Sequence, residues 1–223
     1  MTDSTTSESY PIVKPLGWDF VQRVLRFLFK FLIHLDVQGL EHLPETGPAI
    51  LAPNHVVWFD VILISAFSKT PPVTFAADKW DKTPLINILF RHFGQAIFVH
   101  RGAPDRQALT TALRALKAGR VLGVAPEGTR SHDGILRQGH DGAAWLASRS
   151  DAQIIPIAMW GHENIISDWL HLRRPRVHFR VGEPFRLPPE ARKARSRDMG
   201  PYTDIIMRRI AEMLPPERRG YYA

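Results

Sequence analysis

The sequence predicts an α/β fold, a mostly parallel central sheet flanked by helices, preceded by an amphipathic helix. Three observations carry this. Short apolar runs recur along the chain in the way buried parallel strands do. Segments with helical periodicity separate them, and such alternation is the pattern of parallel sheets. Before the first run lies a long stretch in which charge recurs at helical spacing within otherwise apolar sequence.

In chain order, residues 1–15 read as a flexible N-terminal tail, because the first ten are polar, rich in Ser and Thr, and carry no Lys or Arg. They do not resemble a secretory signal. Residues 16–36 read as an amphipathic membrane-interface helix. At 100° per residue Asp19, Arg23, Arg26, Lys30 and His34 fall in one narrow stripe. The remainder, including Trp18, Phe20, Phe27 and Phe31, makes an apolar face wider than packing on one core requires. A simple span is disfavoured, since each central charge costs roughly 2.5–3.5 kcal/mol on insertion scales; a plain core-packed helix is the competing reading.

Residues 37–223 form the α/β domain. Gly39, Pro44, Gly47 and Pro48 mark a turn-rich entry. Strands are expected at 48–53, 73–77, 96–100, 121–125 and 154–159, with 177–181 as an edge. Helices are expected at 58–67, 84–93, 104–118, 142–148 and 202–214.

The absence of cysteine excludes disulfides, thiolate catalysis and cysteine-bearing zinc sites, and suits a protein in or facing the cytosol. The formal charge of +7 and a pI near 10.0 call for an anionic partner: nucleic acid, a membrane surface or a phosphorylated substrate. The basic run that includes Arg173, Arg174, Arg176, Arg180, Arg186, Arg192, Lys193, Arg195 and Arg197 has no nucleic-acid recognition motif or stacking platform around it. It reads as facing anionic lipid.

Two blocks carry chemistry. In Asn54-His55-Val56-Val57-Trp58-Phe59-Asp60, a strand ending near Pro53 and a helix starting near Val57 or Trp58 put His55 in the turn and Asp60 in the first helical turn. There the carboxylate complements the helix dipole and can reach the imidazole. A histidine held at one nitrogen by a carboxylate presents the other as a base. No enzyme nucleophile is evident, with neither cysteine nor a Gly-x-Ser-x-Gly elbow, so the attacking oxygen belongs to the substrate. The second block is Pro126-Glu127-Gly128-Thr129-Arg130-Ser131: a turn exposing N–H groups, a hydroxyl and a guanidinium to an anion. Arg101, at the end of an apolar strand, adds a group suited to bidentate phosphate binding. Each feature alone has a plain structural explanation: a turn-capping histidine, a solvated arginine, a strand-ending turn.

Gly123 and Gly128 have P-loop spacing, but Thr129 and Arg130 follow where a P-loop needs Lys then Ser or Thr. His132-Asp133-Gly134 recurs as His140-Asp141-Gly142 without a third ligand at metal spacing, so no metal is expected.

Taken together, Asn54-His55-x4-Asp60, Gly94-x3-Phe98-x2-Arg101, Pro126-Glu127-Gly128-Thr129-Arg130-Ser131 and Ile155-Pro156-Ile157-Ala158 resemble the four ordered blocks of the glycerolipid acyltransferases, the 1-acyl-glycerol-3-phosphate acyltransferase (PlsC-like) family. The resemblance covers about 37–182. It implies transfer of a fatty acyl group from acyl-CoA or acyl-carrier protein to the free hydroxyl of a lysophospholipid, typically lysophosphatidic acid. His55 is then the base and Asp60 its orienting partner, with Arg101, Glu127, Gly128, Thr129 and Arg130 around the acceptor phosphate. A carboxylate repels phosphate, so Glu127 is expected to hold Arg101 or Arg130. No cofactor is implied beyond the thioester co-substrate. The implied location is the cytoplasmic face of a membrane, peripheral or monotopic, on an anionic surface, with acyl-carrier protein as a possible donor and no nucleic acid. One departure stands out: where the family has Lys or Arg shortly before a glycine, this chain has Arg137-Gln138-Gly139-His140. The basic role there passes to His140 or Arg137, or the acceptor differs. The alternative functions are acylation of another lipid or glycolipid acceptor, and non-catalytic lipid binding at the membrane.

Overall fold

The alternation of apolar runs with helical segments builds a three-layer sandwich. The computed structural model describes residues 15–77, 96–99 and 106–223. Its strands are β1 (His34–Gln38), β2 (Ala49–Pro53), β3 (Val73–Ala77), β4 (Ala96–Val99), β5 (Val121–Gly123), β6 (Gln153–Trp160) and β7 (Arg176–Val181). The helices are α1 (Trp18–Leu32), α2 (Phe59–Phe67), α3 (Arg106–Lys117), α4 (Gly142–Ser150), α5 (Ile165–Leu170) and α6 (Gly200–Met213).

Among the described residues the strands form one seven-stranded sheet in the order β1-β7-β6-β2-β5-β3-β4. Every neighbouring pair is parallel except β6 with β7, which is antiparallel. The central strand β2 shows why. All five of its residues are buried, and because side chains alternate between faces, Ile50 and Ala52 join a core with α3, α4 and α6 while Ala49 and Leu51 join one with α1 and α2.

The helices dock by matching periodicity. In α3 the buried residues are Ala108, Ala112, Ala115 and Leu116, and in α6 they are Thr203, Ile206, Met207, Ile210 and Ala211, both at the three-to-four spacing of one helix face. In α1 the inner face is Trp18, Gln22 and Phe29. The Gln22 amide donates to the carbonyls of Ser65 and Ser68 at the end of α2, at 2.7 and 2.6 Å.

The expected strands and helices correspond closely to those observed, with these differences. The helix expected across 16–36 ends at Leu32, and His34–Gln38 is strand β1, so the boundary expected at 36/37 falls within a strand. The cause is local: Ile33 turns extended and enters the core at 1% exposure, and β1 pairs along its whole length with β7. Consequently β7 is not the edge. With Val177, Phe179 and Val181 buried, it lies between β6 and the more polar β1. Helix α5 was not expected, being one short segment. The expected helix at 84–93, residues 100 and 104–105, and the tail at 1–14 lie outside the described residues.

Gly161, just past β6, has φ +89°, and a Cβ there would sit 2.1 Å from the Arg176 carbonyl oxygen. Gly161→Ala should therefore cost about 2 kcal/mol or more, read as a lower urea midpoint. An unchanged midpoint would contradict this close approach of β6 and β7.

Candidate active site

The site begins where β2 ends. Asn54 is buried, and its side-chain amide forms two hydrogen bonds with one backbone residue of β6: Nδ2–H donates to the Met159 carbonyl at 2.8 Å and Oδ1 accepts from the Met159 N–H at 2.7 Å. The amide thus continues the β2–β6 ladder by one residue through a side chain, fixing the position from which the chain turns toward α2.

In that turn, Asp60 is the organising group. Its Oδ2 accepts from His55 Nδ1 at 2.7 Å and from the backbone N–H groups of Val56 and Val57 at 2.7 and 3.2 Å. Its Oδ1 lies 2.5 Å from Nε2 of His162, a residue not anticipated from the sequence. Burial pushes the Asp60 carboxyl up, but the hydrogen bonds from His162 and His55 outweigh it and hold it below the usual carboxylate value. An ionised carboxylate only accepts hydrogen bonds, so both rings must donate to it. The neutral His55 ring then carries its proton on Nδ1 and a lone pair on Nε2. The side chain of His55 is 27% exposed while those of Asp60 and His162 are 2% and 0%, so the ring is accessible and its supports are not.

Of the two arginines expected beside Glu127, Arg130 does not meet it and Arg101 lies outside the described residues. Oε1 accepts the His55 backbone N–H at 2.7 Å and Oε2 the Arg137 backbone N–H at 2.8 Å. The physical reason is burial. At 1% exposure the side chain points inward, where unpaired backbone N–H groups need acceptors. Burial raises the Glu127 carboxyl above its ordinary value, against the lowering effect of those two N–H groups. Ser131 completes the clamp, its N–H and Oγ donating to the His55 carbonyl at 2.7 and 3.1 Å. The backbone of His55 is thereby held on both sides by the 126–131 turn.

Within that turn Gly128 has φ +63°, a conformation that favours glycine, and the His140 ring lies where a Cβ would project, 2.8 Å away at Cδ2. Gly128 and Thr129 are exposed and Arg130 is half-buried. Among the described residues Arg130 has no ion-pair partner. Arg137 is engaged twice, its guanidinium by Asp133 at 2.6 Å and its N–H by Glu127, whereas His140 lies against Gly128. The structure brings together His55, Asp60, Glu127, Gly128, Thr129 and Arg130; Arg101 lies outside the described residues.

This geometry accompanies a match of the acyltransferase family to residues 34–160. The chain belongs to that family. It is 28% identical over 134 residues to the 1-acyl-sn-glycerol-3-phosphate acyltransferase of Borreliella burgdorferi, a match covering 59% of this chain and about half of that protein, 53%. It is 23% identical over 203 residues to the enzyme of the same name from Bacillus subtilis, covering 88% and 96%. The crystal structure of PlsC, the 1-acyl-sn-glycerophosphate acyltransferase from Thermotoga maritima, superposes with a TM-score of 0.68 at 23% identity, over 88% of this chain and 79% of that one, and has the same fold.

A second feature of this acyltransferase lies on α1. Opposite its inner face, Leu16, Phe20, Phe27 and Phe31 are 93%, 64%, 57% and 60% exposed, so the helix has an inner and an outer apolar face with the charged stripe at their border. Trp169 of α5 donates to the Leu32 carbonyl at 3.0 Å, and its neighbours Leu170 and Leu172 are also exposed. Among the described residues no helix is long and apolar enough to cross a membrane. The basic run at 173–197 does not form one patch. Arg174 caps carbonyls at the end of α1, and Arg180 pairs with Asp36. Arg186 and Arg192 pair with Asp151 at the opposite end of β6, because the intervening strand β7 carries the chain across the molecule.

The depressed Asp60 carboxyl gives a pH signature. Its stabilisation is fully present above the unfolded value of 3.8 and is lost only as pH falls below that toward the folded value. Asp60→Asn should lower stability by at least about 2 kcal/mol at neutral pH, since hydrogen bonds to a charged group are worth roughly 1.5–3 kcal/mol each. Urea midpoints showing this difference closing between about pH 7 and 5 would refute this assignment.

Proposed function

We propose that this acyltransferase moves a fatty acyl group from acyl-CoA or acyl-carrier protein to the free hydroxyl of a lysophospholipid, with 1-acyl-sn-glycerol-3-phosphate the favoured acceptor and phosphatidic acid the product. The observation that carries the reading is the His55–Asp60 pair: a ring held at Nδ1, more open than its supports, beside a turn whose arginine, Arg130, has no ion-pair partner among the described residues.

In the reaction, the acceptor hydroxyl loses its proton to Nε2 of His55 as its oxygen attacks the thioester carbonyl carbon. The carbon–sulfur bond breaks, and the thiolate leaves and takes up a proton. The imidazolium formed transiently faces Asp60, which is already ionised and oriented and so needs no rearrangement. Arg130 and the exposed Thr129, in a turn whose Gly128 N–H is itself tied to the Ala125 carbonyl, hold the acceptor phosphate, with Arg101 assigned to the same group. Aligning two reactants can supply roughly 7–11 kcal/mol of the barrier, so positioning carries much of the rate. The names of the similar bacterial enzymes support the acceptor class, and no metal or covalent enzyme intermediate is needed.

The outer face of α1 supports a peripheral seat on the cytoplasmic face of a membrane. A cleft of about 700 Å³ lined by Arg26, Lys30, Arg174 and Arg176 borders the same helix and favours anionic lipid. The acceptor and product would then remain in the bilayer while the thioester arrives from water.

Two measurements test these readings. With labelled acyl thioesters and a panel of lysophospholipids, His55→Ala should lower turnover by about 10²–10⁴-fold with an unchanged circular dichroism spectrum; retained turnover contradicts the base role. Replacing Phe27 and Phe31 together by Asp should weaken co-sedimentation with anionic vesicles by at least about tenfold, because each buried phenyl contributes roughly 1.5–3 kcal/mol. Unchanged partitioning contradicts the membrane seat.

A further inference from the structure

His162 is a buried titratable group that the transfer chemistry above does not use. It is 0% exposed; its Nε2 meets Asp60 Oδ1 at 2.5 Å, and its Nδ1 has no hydrogen-bond partner among the described residues. A buried polar atom left unsatisfied is destabilising, because it has given up water without gaining a partner. The ring packs 6.1 Å from Phe59, centroid to centroid, in a setting where a phenyl group would fill the space without that cost. What a histidine supplies there and a phenyl cannot is one N–H aimed at Asp60.

The terminal torsion of an aspartate is intrinsically broad, so the plane of its carboxylate is set by its partners. From the β2–α2 turn Asp60 meets the His55 ring and the Val56 and Val57 N–H groups, all on Oδ2. From the end of β6 it meets His162 alone, on Oδ1. The next carboxylates are committed elsewhere, Glu127 to the His55 and Arg137 amides and Glu163 to Arg218. Among the described residues Oδ1 therefore depends on His162.

We propose that His162 is a positioning residue of acyl transfer: by binding Oδ1 it fixes the carboxylate plane so that Oδ2 faces Nδ1 of His55, and it prevents the buried Oδ1 from turning to compete for that proton. The site is then a three-residue relay, His55–Asp60–His162, in which the outer ring acts on substrate and the inner ring acts only through Asp60. The proposal rests on the base role of His55 given above.

The test is steady-state kinetics on the full chain with acyl-CoA and a lysophospholipid, across pH, for His162→Phe, His162→Gln and His55→Ala. His162→Phe should lower kcat about 10- to 100-fold, the usual range for a supporting hydrogen bond, with acceptor KM within about threefold. The acid limb of kcat should move to higher pH, because Asp60 loses a donor and takes up a proton more readily. His162→Gln places an amide N–H where Nε2 stood, and should recover most of kcat and the original limb. If His162→Phe does not fold, His162→Asn, whose amide is too short to reach Oδ1, takes its place. A His162→Phe enzyme at least as active as His162→Gln, with its acid limb unmoved, overturns the proposal while an inactive His55→Ala leaves the base role standing. A fully active His55→Ala overturns both.

Discussion

One buried carboxylate governs this site. Asp60 accepts hydrogen bonds from two imidazoles and two backbone amides, and that donor set keeps it ionised although burial opposes the charge. An ionised Asp60 dictates the tautomer of His55, and the tautomer decides whether a lone pair or an N–H points away from the support. The accessible lone pair proposed to act as base is thus a consequence of charge placement in the layer beneath it.

The sheet makes that placement possible. Strands β5, β2 and β6 are adjacent and parallel, so the segments leaving their C-terminal ends emerge side by side. Those segments carry Glu127, His55 with Asp60, and His162 respectively. Ligand sites in open α/β sheets lie at these strand ends, and here each neighbouring strand contributes one layer of support: Glu127 and Ser131 hold the backbone of His55, Asn54 ties β2 to β6, and His162 reaches Asp60. The loop supplying the Arg137 amide is held in turn by the C-terminal segment, through Leu136 N–H to the Arg218 carbonyl and Gly139 N–H to Tyr222 Oη. The last residues of the chain therefore stiffen the site from outside it.

Much of this was legible in the sequence, for identifiable reasons. Strands such as β2 and β6 are continuous apolar runs because both faces are buried, and α3 and α6 show one-sided periodicity. The spacing of His55 and Asp60 forced a turn between them, as observed. What escaped was set by tertiary pairing. β1 is a polar edge strand whose His34, Asp36 and Gln38 read as loop or helix end. The bonds of Glu127 to two backbone N–H groups escaped because a buried backbone N–H leaves no mark in sequence. His162 was legible only as a polar residue after an apolar strand, and its role emerges once β6 is known to lie beside β2.

The account is tested most directly by imidazole ¹⁵N NMR of the free protein at neutral pH, with resonances assigned through histidine substitutions. It predicts that His55 carries its proton on Nδ1 with Nε2 unprotonated, that His162 carries its proton on Nε2, and that Asp60→Asn abolishes the His55 preference. A His55 ring protonated on Nε2, or one indifferent to Asp60→Asn, would contradict it.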